Sequence, residues 1–218
     1  MISANIGNLV FAGRNISVTH AALSSSRVMA TCGVLGQALG TAVAQSIAEG
    51  VDIRYINIPN LQKILMQDDC YLPWHGREVS SLTREAACNA EICRNGKERG
   101  EENLWIGKAG EYIEYIFDND TYVKEIRLVF DSDLNRNYKN MPCLVRINEP
   151  DFHIPFTLVK SYEIIGTDSE GKEHIINVND SHQRFVKHSV DWKVKTVRFI
   201  PLETYGSEDF RVFDFEIS

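Results

Sequence analysis

The sequence predicts an α+β protein in which an incomplete α/β segment is followed by an antiparallel β-sandwich of jelly-roll type. Three observations carry that expectation. The first fifty residues are poor in charge and rich in Gly, Ala and Ser, with one apolar run and one long helical pattern. Beyond about Ser80 the chain turns charged, aromatic and β-branched, and its hydrophobic period changes from helical spacing to two. The alternating segments then follow one another with turn residues and no helix between them, as antiparallel strands do.

In chain order, Asn8-Leu-Val-Phe-Ala12 is a short apolar run ending at Gly13, which reads as a strand buried on both faces. An irregular polar stretch rich in Ser and Thr follows. A helix is expected from Met29 or Thr31 to Glu49, closed by Gly50. Cys32, Gly36, Gly40 and Ala44 recur on it every four residues. Glycine inside a helix costs about 1 kcal/mol relative to Ala, so this stripe suggests close packing against a sheet or a ligand. Pro59 suits the first turn of a second helix, with Leu61, Ile64 and Leu65 on one face, and Tyr71-Leu-Pro-Trp74 leads out of it.

From Glu111 onwards the strands are Tyr112 to Phe117, Val123 to Phe130, Leu144 to Ile147, Leu158 to Ile165, His174 to Val178, Val194 to Ile200 and Phe210 to Ile217. Asp118-Asn-Asp120 and Asp168-Ser-Glu-Gly-Lys172 are expected hairpin turns, and Asp133 to Pro142 a longer loop. The expected division is 1–50, the end of an α/β domain; 51–80, a helical connector; and 81–218, the sandwich.

The 218 residues are 44% hydrophobic and 24% charged, which excludes a disordered chain or a collagen. Residues 1–80 hold five basic and five acidic side chains. The net charge of −7 therefore arises beyond them, where the remaining 18 of 23 basic residues face 25 of 30 acidic ones. No basic field exists for nucleic acid or an anionic membrane surface, and neither partner is expected. No stretch approaches the roughly 20 apolar residues of a membrane span. MISANIGNLVFAG lacks the basic start of a signal peptide, and the location stays open. Five cysteines (Cys32, Cys70, Cys88, Cys93 and Cys143) include no CxxC pair and no Cys/His group at zinc spacing, so no metal is expected. The close carboxylates Asp131/Asp133 and Glu101/Glu102 read as solvated surface rather than a glycosidase pair. No Ser-His-Asp motif or nucleophile elbow supports hydrolysis.

One strand and one helix cannot make a parallel sheet, and the chain has neither GxGxxG nor GxxxxGK[ST]. It is expected to lack the nucleotide-binding start of a larger domain. Asn8-Leu-Val-Phe-Ala-Gly-Arg-Asn-Ile-Ser-Val-Thr-His20 and Ser26-Arg-Val-Met-Ala-Thr-Cys-Gly-Val-Leu-Gly-Gln-Ala-Leu-Gly40 closely resemble the C-terminal end of the flavin domain in FAD-dependent oxidoreductases of glutathione-reductase-like architecture. The resemblance covers about the first 50 residues and extends less firmly to Pro73. It implies that Gly13 and Arg14 of the turn, and Ser26, Arg27, Val28 and Met29 at the helix start, bind FAD. His20 is the candidate proton donor or substrate contact, and Cys32 reads as a packing thiol. The implied reaction is hydride transfer between an organic substrate and FAD. The ADP-binding fold is the implied missing partner, so the chain alone is expected to be inactive.

Leu104-Trp-Ile-Gly107, Gly110-Glu-Tyr-Ile-Glu-Tyr115, Val123 to Phe130 and Val197-Arg-Phe-Ile-Pro201 resemble the discoidin group of galactose-binding-like sandwiches. That resemblance implies sugar binding on loops at one end, with aromatics stacking on a sugar face. Trp105 reads as core. Trp192, between Asp191 and Lys193, is the expected exposed aromatic, with Tyr205 and Tyr138 also available. The alternatives are a non-catalytic carbohydrate- or protein-binding module, and a scaffold that self-associates through Leu9, Phe11, Val34 and Leu35.

Overall fold

The computed structural model describes residues 1–134 and 154–218. The expected strand Leu144 to Ile147, Tyr138, Cys143 and most of the loop Asp133 to Pro142 lie outside the described residues. The chain forms two compact units, Met1–Arg77 and Glu78–Ser218.

In the first unit, α1 (His20–Ser26) precedes α2 (Met29–Glu49), and α3 (Ile58–Gln67) follows a 3-10 turn. α1 replaces the expected irregular stretch. Its Thr19 cap accepts from the Ala22 N–H at 3.3 Å, and the hydroxyls of Ser24, Ser25 and Ser26 fold back onto carbonyls of Ala21 and Ala22. Serines that satisfy themselves in this way make a helix without an apolar face, which hydrophobic periodicity does not reveal.

α2 ends as expected at Gly50, and α3 starts with Asn57 as its cap and Pro59 in its first turn. Gln45 joins them, its Nε2 donating to the Asn57 carbonyl at 3.2 Å and to Glu49 at 2.9 Å. The buried positions of α2 are Leu39, Ala42 and Gln45. They lie off the small-residue stripe. A methyl placed on Gly36 or Gly40 would meet nothing within 4 Å, so no described part of this chain packs closely on those two glycines. The expected strand Asn8 to Ala12 is also corrected, because only an isolated antiparallel bridge forms, between Ile2 and Val10. With one partner and half-exposed side chains, this run is no sheet interior.

The second unit is built from β1 (Ala87–Cys88), β2 (Trp105–Gly107), β3 (Ile113–Phe130), β4 (Val159–Thr167), β5 (Glu173–Val178), β6 (Phe185–Thr204) and β7 (Phe210–Ile217), all antiparallel. The order is β2-β7-β3-β6-β4-β5, with β1 on β3.

The two long strands organise it. Ile113 to Ile116 of β3 pair with Thr196 to Phe199 of β6, whereas Glu125 to Val129 pair with Phe185 to Ser189. Between these halves, residues 117–120 stand opposite Lys195 alone, so a large bulge bends the ribbon. Asp118 to Asp120 is therefore no hairpin turn: it is the bulge inside one continuous strand. The bend lays one half of the ribbon over the other. Phe199 then meets Phe215 at 5.8 Å between ring centroids, and Tyr115 meets Phe215 at 5.1 Å and donates its O–H to the Phe215 carbonyl at 2.6 Å. The space between the halves holds the core, including Ile126, Leu128, Phe130, Tyr162, Ile164 and Val197.

At the bend, the Asp120 carboxylate accepts from the Ser169 amide at 2.8 Å and hydroxyl at 2.7 Å, tying the bulge to the β4–β5 turn. That turn forms as expected, with Asp168 Oδ1 accepting from the amides of Glu170 and Lys172. α4 (Ser81–Glu85) is held to β7 through Ser80 and Thr83, whose hydroxyls donate to the Ile217 carbonyl.

Candidate functional sites

In the first unit, the Ala12-Gly13-Arg14 turn lies beside the opening turn of α2. Gly13 has φ +97°, a conformation glycine adopts without strain, and a Cβ there would sit 3.9 Å from Cys32 Sγ. Cys32 Sγ in turn lies 3.6 Å from the Ser26 carbonyl. One thiol thus joins Gly13, Ser26 and the start of α2. Val28 is the cap of α2 and has no side-chain oxygen to offer, so the first amides of the helix lack a side-chain acceptor. Met29 is 90% exposed and Val28 is exposed beside it. Arg14 and Arg27 are exposed cations at this end of the unit.

This donor set fits a flavin edge or phosphate: uncapped amides, the positive end of a 21-residue helix, and two guanidiniums. His20 is the first residue of α1 rather than a loop residue, and it is exposed. No hydrogen bond links it to the Gly13 turn.

The second site lies where strand ends gather opposite the bend. β4 begins, β5 ends and β6 ends there, with Tyr205 N bonded to the Leu158 carbonyl and Ser181 N to the Lys160 carbonyl. The Tyr205 O–H donates to Asp180 Oδ1 at 3.0 Å, and the Tyr205 phenol oxygen lies 2.9 Å from His182 Nδ1. Partial burial first, and then the bond to Asp180, hold this phenol above its ordinary range, so it stays a donor. Lys160 pairs with Glu203 at 2.9 Å alongside. Gly206 follows Tyr205 with φ +154°, and a Cβ there would press on the Phe156 ring at 2.9 Å. Phe156 is about half exposed.

Of the expected sandwich residues, Tyr205 is in this cluster and Trp192 is not. The expected exposure of Trp192 is corrected: it is 8% exposed, packed closely against Gly166 and stacked with His174 at 5.7 Å. Trp105 packs against the core, as expected. Asp180 and His182 were not expected as site residues. Their signal was the polar run Asn179 to Gln183 between two strands, close in the fold to Tyr205 but distant in sequence. Among the described residues, no group of three His, Cys, Asp or Glu side chains could hold a metal ion. No single described helix is long and apolar enough to cross a membrane.

Residues 1–65 match the family model of FAD dependent oxidoreductases. The resemblance read in the first fifty residues is thereby borne out and reaches into α3. No curated protein matches the chain. Among solved structures, it is similar to the family 32 carbohydrate-binding module of Streptococcus pneumoniae EndoD (10% identity, 64% of this chain and 99% of that one, TM-score 0.47). It is also similar to chitosan-binding module 1 of a Paenibacillus chitosanase/glucanase (12%, 63% and 96%, TM-score 0.44). A third is a Clostridium perfringens module in complex with GalNAc-β-1,3-galactose (12%, 63% and 99%, TM-score 0.43).

Proposed function

We propose that residues 1–65 serve an FAD-dependent oxidoreductase as the segment that closes over the flavin, in a reaction moving hydride between an organic substrate and FAD. The observation that carries this reading is the match to the FAD dependent oxidoreductase model over the stretch that holds the Gly13 turn and the uncapped start of α2. When bound, the flavin supplies the hydride chemistry. Gly13 lets the backbone approach closely, the first amides of α2 donate to an anionic edge, and Arg14 and Arg27 add positive charge. His20 is a positioning or proton-bearing group at the margin of this surface.

Because these residues address the flavin end and not the ADP end, the isolated chain binds weakly and does not distinguish FAD from riboflavin. Titrating flavin fluorescence with the chain tests this. Similar weak quenching of both, reduced about threefold or more by Arg14→Ala, supports the reading, since one charge-assisted contact is worth about 1 kcal/mol or more. Quenching that is absent, or the same in Arg14→Ala and Arg27→Ala, sinks it.

A second reading applies to residues 78–218, favoured by the hydrogen-bonded Asp180, His182 and Tyr205 at the strand-end surface. There the sandwich holds a carbohydrate, using an aromatic face and fixed polar groups. Glycan binding that is lost in Tyr205→Ala, with an unchanged circular dichroism spectrum, supports it. Binding that persists in that variant removes this site.

A further inference from the structure

β5 stands at one end of the strand order and, among the described strands, pairs with β4 alone. The hydrogen bonds of this hairpin fix which backbone groups of β5 are left over. The Asp168 N–H donates to the Lys172 carbonyl at 3.0 Å, so these two residues form a bonded pair at the hairpin end. Bonded and non-bonded pairs alternate along an antiparallel ladder. Gly166/His174, Ile164/Ile176 and Tyr162/Val178 are therefore the bonded pairs that follow, and the N–H and C=O groups of Glu173, Ile175 and Asn177 point away from β4. No backbone hydrogen bond from another described element reaches them.

The side chains of the same three residues are the exposed ones of the strand, and Ile175 keeps 52% of its surface open. Strand edges are commonly blunted by a bulge, a proline, a lysine or a short length. β5 has six residues in unbroken register with β4 and contains neither proline nor lysine. By contrast, β2 at the other end of the order is three residues long. β5 thus presents a regular edge with an apolar residue at its middle.

We infer that this edge pairs with the β5 edge of a second copy of the chain, antiparallel about a twofold axis at Ile175. In that register Ile175 faces its own counterpart, and on both sides of the axis Glu173 faces the Asn177 of the other copy. All three outward residues of each strand are then used, each pair exchanging two backbone bonds. The two isoleucines cover each other, the Asn177 amide is placed to donate to the Glu173 carboxylate, and no like charges meet. Moving the register to either neighbouring pairing sets Ile175 against Glu173 or Asn177 and carries one outward residue of each copy beyond the strand. A twofold axis at Glu173 opposes two carboxylates. The contact is a single strand pair and buries little area, so the dimer is weak and forms at high protein concentration.

The test is sedimentation equilibrium of the full chain across a wide range of protein concentration. The expected result is a reversible monomer–dimer equilibrium that Ile175→Lys weakens about tenfold or more, since it removes the apolar contact and sets two ammonium groups opposite each other. Asn177→Glu should weaken it too, by opposing two carboxylates. Adding Glu173→Lys to that variant should restore the dimer, because positions 173 and 177 lie roughly 13 Å apart along one strand and can meet only between copies. Circular dichroism spectra like that of the wild type keep these losses from being losses of fold. A chain that stays monomeric throughout overturns the inference. So does a dimer that survives Ile175→Lys and is broken by Val34→Lys on the exposed side of α2, which places the contact in the first unit. Failure of the charge pair to restore association overturns the pairing about Ile175.

Discussion

Arg127 Nη1 lies 2.6 Å from Asp214 Oδ2, with both side chains almost wholly shielded from water. Glu98 reaches the same nitrogen at 2.6 Å, and the guanidinium stands 4.8 Å over the Phe185 ring. The pair lies on the side of β3 and β7 turned away from the central core, which the segment following α4 covers. Removing Asp214 takes one of two charged acceptors from a buried guanidinium that Glu98 still holds, which costs about the worth of one hydrogen bond between charged groups.

Asp214→Ala is accordingly expected to lower the stability of the sandwich by about 1.5–3 kcal/mol, read from urea unfolding followed by tryptophan fluorescence. A loss below about 1 kcal/mol, the level of an exposed pair, would mean that water reaches Arg127.

The stability should also depend on pH through His188. The Tyr162 hydroxyl and His188 Nε2 share a hydrogen bond at 2.9 Å, and burial pushes the phenol upward and the imidazole downward from their ordinary values. The folded state thus favours neutral imidazole, while the unfolded chain takes up its proton near pH 6.5. Above that value the contribution is fully present; as the pH falls below it and through the lower folded value, it is lost. Denaturation midpoints at pH 7.5 and 5.5 should differ less in His188→Gln than in the wild type. An equal difference in both would assign the pH dependence to other groups.

Trp192→Ala should act on folding. With 8% of its surface exposed and its ring over Gly166, loss of the side chain leaves a cavity, for a cost of about 3–5 kcal/mol. A variant as stable as the wild type in thermal unfolding would show that the indole contributes no core packing. Loss of sugar binding in this variant would report the fold, and Tyr205 is the informative position.

Much of the architecture is written in local pattern. α2 shows a long helical run with a terminal glycine, and Phe210 to Ile217 is a strand at the expected bounds because an aromatic and β-branched run lies buried there. Features that depend on partners are harder to read. Asn8 to Ala12 has the composition of an interior strand, but composition does not supply neighbours. Asp118 to Asp120 has turn chemistry, and the same residues serve a bulge when the following segment continues along the same partner. Trp192 was legible in principle: Trp192 and Val194 are buried between exposed Asp191, Lys193 and Lys195, a clean period of two that the flanking charges disguised. The Asp180 cluster was not legible, since Asp180 and Tyr205 meet only through the pairing of β4 with β5 and β6.

Because β3 and β6 each run through both halves of the sandwich, neither half is a separable module. Gene fusion or recombination could add to the rims of this body or vary its loops. It could not exchange one layer for another without cutting the two strands that form the spine of both.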